Sequence, residues 1–171
     1  DIFDHFNYYI TADLWTGAVA GTGTVTHEGS VGKSRMRLFN TAANDAAVLA
    51  TTNELLKFTA NKSMAMIGVI NGSDVDTDDG MVFFGAADAL AATTLADTTG
   101  AVTATDAIAL VKLPDTTVFL FHTEINGVST QTVSNTTCLT GSDQVLKIEV
   151  TPRSSTVLEC RPFVDGVQLT T

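Results

Sequence analysis

Three stretches of the chain carry residue types at spacings that could do chemistry. In Asp74-Val75-Asp76-Thr77-Asp78-Asp79-Gly80, alternate carboxylates could converge on a hard cation, which is how a calcium loop works. Two departures weaken that reading: the glycine comes one residue late, and the position that should supply a bidentate glutamate is Gly85. The segment is expected to be a solvated acidic turn, with an irregular cation site on Asp74, Asp76 and Asp78 as the alternative. Gly32-Lys33-Ser34 ends like a phosphate-binding loop, but the position where that loop needs its first glycine is His27, and a strand follows where a helix should. A hairpin turn is the better reading. Tyr8, Tyr9 and Trp15 could form a flat stacking platform for a sugar if they shared one exposed surface, although core or strand-edge packing is the usual fate of such rings.

The remaining reactive side chains do not converge. His5, His27 and His122 are too far apart to place two on one metal. No serine sits in a Gly-x-Ser-x-Gly elbow. The glutamates, Glu28, Glu54, Glu124, Glu149 and Glu159, offer no close pair along a strand that could act as acid and nucleophile on a glycosidic bond. The expectation is a non-enzymatic protein with no cofactor and no resident metal. A polysaccharide hydrolase would need two carboxylates facing each other across a groove.

Bulk properties narrow the partners. With 9 Lys plus Arg against 19 Asp plus Glu, the net charge is −10, and no basic run exists to follow a phosphate backbone. Nucleic acid is not an expected partner, and no apolar run approaches the ~20 residues that span a bilayer. The 171 residues, 44% of them apolar, suit one domain with a single core. Cys138 and Cys160 have no disulfide framework around them and are expected as free thiols. No secretory signal is recognisable, and the chain begins at Asp1, so a preceding piece stays an open alternative.

The elements that must position these groups read as strands. Leu146, Ile148 and Val150 alternate along one face, the chain turns through Thr151–Thr156, and Leu158, Cys160, Pro162 and Val164 return before a second turn at Asp165-Gly166. Asn126-Gly127 marks another hairpin, between Thr116–Ile125 and Val128–Val133, and Ala107–Leu113 precedes it across Pro114-Asp115. Ser63–Asn71 is apolar on both faces and reads as a central strand covered on both sides. Residues 87–105 are low in complexity and read as a long loop, with a short helix capped by Asp88 as the alternative. Ten to thirteen short strands without an amphipathic helix predict an all-β, antiparallel two-sheet sandwich.

Four segments in order, Phe6–Ile10 with Trp15, Glu54–Lys62, Asp106–Lys112 and Phe163–Val167, together resemble a family of bacteriophage virion proteins with a concanavalin-like, laminin-G-like jelly-roll sandwich. The resemblance covers nearly the whole chain and implies a capsid decoration, or cement, protein on the capsid exterior of the virion. Its expected partners are the major capsid protein and other copies of itself, a trimer among the options. The chain departs from the family where Met64 or Met66 replaces an aromatic residue, and where Pro162 interrupts a strand and places it at an edge or a bulge. A closing strand after Val167 is either absent or lent by a neighbour. Ile2, Phe3 and Phe6, apolar residues ahead of the first strand, are the expected capsid-docking segment within 1–6, unless they fold back on the core. The rival function is a carbohydrate-binding, lectin-like module of a phage tail or fibre.

Overall fold

A computed structural model describes residues 15–30, 33–39, 46–51, 59–72, 81–89, 101–114 and 116–169. These residues form twelve strands and no helix: β1 (Trp15–Ala20), β2 (Thr24–Ser30), β3 (Lys33–Phe39), β4 (Ala46–Thr51), β5 (Met64–Ile70), β6 (Val82–Ala87), β7 (Ala107–Lys112), β8 (Val118–Ile125), β9 (Val128–Thr137), β10 (Gln144–Pro152), β11 (Leu158–Val164) and β12 (Val167–Gln168). One sheet has the order β12-β11-β10-β5 and the other β6-β7-β8-β9, while β1-β4 and β2-β3 form two-stranded ribbons. Every paired strand runs antiparallel to its neighbour. The protein is an all-β, jelly-roll-like sandwich of two antiparallel sheets.

Period-two alternation builds the interface between the sheets. Along β10, Leu146, Ile148 and Val150 are fully buried while Val145, Lys147 and Glu149 point away. They meet Leu110 of β7 and Phe119 of β8, joined by Val164, Cys138 and Leu169. Gly68 belongs to this contact: a Cβ there would lie 2.5 Å from the ring of Phe84, so its lack of a side chain lets the β6 aromatic seat on β5.

Turn chemistry fixes the registers. Asn126 and Gly127 both have positive φ, 50° and 76°, as a type I′ hairpin requires, and Ile125 pairs directly with Val128. Asp165 and Gly166, with φ of 50° and 79°, close β11 on β12 in the same way. Pro162 pairs in unbroken register with Ile148, and its carbonyl accepts from the Leu169 amide at 2.9 Å. Because a residue's N and C=O point to the same side of an antiparallel strand, the missing donor faces the short β12 and leaves the β10 ladder intact. β11 is therefore neither an edge strand nor bulged at Pro162, against the expectation for that proline: β12 lies beyond it, and the proline is tolerated because its missing donor falls on that short side.

A second expectation is overturned. Met64–Ile70 is not a central strand covered on both faces; β5 ends its sheet, with β10 beside it and no strand on its other edge among the described residues. Ile67 and Val69 are 65% and 64% exposed. The chain leaves β5 for β6 in the opposite sheet, so no hairpin partner falls beside it. Apolar side chains on both faces permit cover; strand order decides whether it is supplied.

Candidate functional site

The expected docking residues Ile2, Phe3 and Phe6, and the acidic-loop residues Asp74, Asp76 and Asp78, lie outside the described residues, as do Tyr8 and Tyr9 and residues 90–100 of the low-complexity segment. Trp15 opens β1 and is half-buried. Lys33 and Ser34 begin β3, which pairs with β2 from Ser30 opposite Lys33, so this segment is a hairpin, as read. Cys138 is buried and Cys160 half-buried, both as free thiols. Burial first, and then the neighbouring Glu159 charge, push the Cys160 thiol pKa up, so it holds its proton where an exposed cysteine begins to ionise.

On β8, His122 and Glu124 share the face turned away from the core. The imidazole, 2% exposed, has Nε2 3.1 Å from Glu124 Oε2 and Nδ1 3.3 Å from the amide nitrogen of Gln131 on β9. Gln131 can only donate there, so the neutral ring carries its hydrogen on Nε2 and donates it to the carboxylate. Both ring nitrogens are engaged and the ring is shut from solvent, so this trio is built to satisfy buried polar atoms. No group of three or more metal-binding side chains occurs among the described residues.

The outer face of β5, β10 and β11 is open and divided in two. Toward one end, Ile67, Val69 and Val145 make an exposed apolar stripe, with Val69 directly opposite Val145. Toward the other end the face is charged. Lys147 donates to Glu149 at 2.8 Å and sits 4.2 Å from the centre of the Phe163 ring. Glu159 is held by two guanidinium forks: Arg153 Nε donates to Oε2 at 2.7 Å and Arg161 Nε to Oε1 at 2.9 Å. These hydrogen bonds, Arg153 first and then Arg161, hold the Glu159 carboxyl below the usual glutamate range.

Glu149 and Glu159 therefore do come onto one face, which their sequence separation hid. Glu149 lies opposite Arg161, while Glu159 lies opposite Thr151. A general acid needs a raised pKa, and Glu159 is moved the other way, so this ladder holds charge in place and keeps its carboxylate ionised.

A second exposed apolar feature crowns the β8–β9 hairpin. Ile125 is 61% and Val128 71% exposed. Their turn is clamped from behind: the Asn126 amide donates to Asp106 Oδ1 at 2.8 Å and the Gly127 amide to the Thr105 carbonyl at 2.8 Å. Asp88 Oδ1 in turn accepts from the Thr105 and Asp106 amides at 3.1 and 3.2 Å. The result is an apolar knuckle on a backbone with little freedom to move.

Comparison of the chain with protein-family models, with curated proteins and with solved structures finds no match. The likeness to phage virion proteins accordingly rests on the four sequence segments.

Proposed function

We propose that this is a non-enzymatic binding protein of a phage particle, which decorates the outside of the capsid shell by docking on the major capsid protein and stabilises it there. The observation that supports this reading best is the Ile125–Val128 knuckle: two large apolar side chains held in water on a clamped turn. Such a feature carries a solvation cost unless a partner covers it, and its rigid turn reduces the ordering entropy lost on docking. Each copy contributes a modest contact, and the repetition of the shell multiplies it.

Cosedimentation with purified shells that lack the protein tests the reading. The expected outcome is saturable binding, weakened about tenfold or more when Ile125 and Val128 are both changed to serine, in line with the loss of a central apolar anchor. Deletion of residues 1–6 forms a separate arm for Ile2, Phe3 and Phe6. Shells that take up no wild-type protein at any concentration sink the proposal.

A further inference from the structure

We infer that the open edge of β5 pairs with the same edge of a second copy, antiparallel across a two-fold axis at Ile67, giving one continuous eight-stranded sheet. This does not depend on the shell-docking reading, which uses the opposite sheet.

The first ground is that the edge is undefended. Exposed sheet edges normally carry a charge, a proline, a bulge or a shortened strand, because unpaired amides and carbonyls otherwise recruit another strand. Over its seven residues β5 has no charged residue and no proline, and it pairs with β10 without a register shift. The other sheet ends differ. β12 is only two residues long, β9 is rich in hydroxyl and amide side chains and paired through an irregularity at Val118/Leu120, and no residue of β6 is more than half-exposed. Among the described edges of the two large sheets, β5 alone is long, regular, uncharged and exposed.

The second ground is self-complementarity. Antiparallel pairing centred on Ile67 sets Met64 opposite Ile70, Ala65 opposite Val69 and Met66 opposite Gly68, so all seven residues pair and outward side chains meet outward ones. The two apolar stripes of Ile67, Val69 and Val145 then merge across the axis.

Sedimentation velocity of the full chain, with engineered cysteines as a ruler, decides the matter. A single strand pairing buries less than a standard interface, so the dimer should appear between about 1 and about 100 µM. Ile67→Lys places two like charges at the axis on an exposed side chain and should weaken dimerisation at least about tenfold while leaving the fold intact. Ile67→Cys should form an intermolecular disulfide under mild oxidation, since directly opposed residues have Cα atoms about 4.5–5.5 Å apart, within disulfide range. Val69→Cys alone should not crosslink, its two copies lying about 13 Å apart along the strands, whereas Val69→Cys mixed with Ala65→Cys should. A chain that stays monomeric over that range, or one in which Val69→Cys crosslinks with itself as readily as Ile67→Cys, overturns the inference.

Discussion

The two sheets share one core but turn opposite characters to the outside. Behind β7 and β8, the outward side chains Ala107, Ala109, Val111, Leu120 and His122 are buried. Behind β5 and β10, Ile67, Val69 and Val145 stand in water beside a ladder of ion pairs. Small apolar residues and one fully hydrogen-bonded histidine suit a face whose work is packing; large apolar residues bordered by fixed charges suit a face that meets something else. The difference separates residues that set stability from residues that set association, although both groups lie on outward faces of strands.

Substitutions can break that division. The largest effect is expected at Gly85 on the buried side, where a Cβ would lie 2.1 Å from the Ile108 carbonyl oxygen and 2.6 Å from the Ala109 Cα. Backbone cannot yield as a side-chain tip can, so Gly85→Val should cost about 4 kcal/mol in urea unfolding, in the tail of single-substitution effects. Leu120→Ala should cost about 3 kcal/mol as a cavity in a closed face. His122→Ala should cost about 2 kcal/mol by emptying the site of a buried ring and leaving the largely buried Glu124 carboxylate without its donor. On the open side, Ile67→Ala should stay within about 0.5 kcal/mol in dilute monomer. A loss at Ile67 as large as that at Leu120 would erase the distinction between the faces.

The smallest expected effect belongs to Glu159 and sharpens the comparison through pH. Its carboxyl is held below its ordinary range in the folded chain, so its ion pairs contribute near neutrality and are lost as acid protonates it, below the pH at which an unpaired glutamate titrates. Glu159→Gln should therefore lower stability slightly at neutral and alkaline pH, leave it unchanged in acid where the carboxyl is already protonated, and so flatten the acid limb of the stability profile. Exposure and salt screening keep the effect small, and it should shrink further in high salt.

Much of the architecture was written in turn chemistry. Asn126-Gly127 dictates Ile125 opposite Val128, and counting outward from that turn places Gln131 opposite His122, so the partners of the buried histidine were within reach of the sequence once the hairpin was recognised. The same counting cannot join Arg153 to Glu159, because the intervening turn has no fixed two-residue form; it is set by the Arg153 and Ser154 amides both donating to the Val157 carbonyl. β5 was misplaced for a different reason. Its composition reports compatibility with burial on two faces, whereas its neighbours depend on a crossover between sheets that no local pattern encodes. The knuckle at Ile125 and Val128 was similarly concealed, since alternation assigns a face but does not say where the opposing sheet ends.

The seclusion of the two native sulfurs has a practical consequence. One is sealed in the sandwich, and the other is half-covered and reluctant to give up its proton. A maleimide dye offered to the folded protein should spare both, so one cysteine introduced at an exposed position could carry a fluorophore or a gold label without first stripping the wild-type chain of its own.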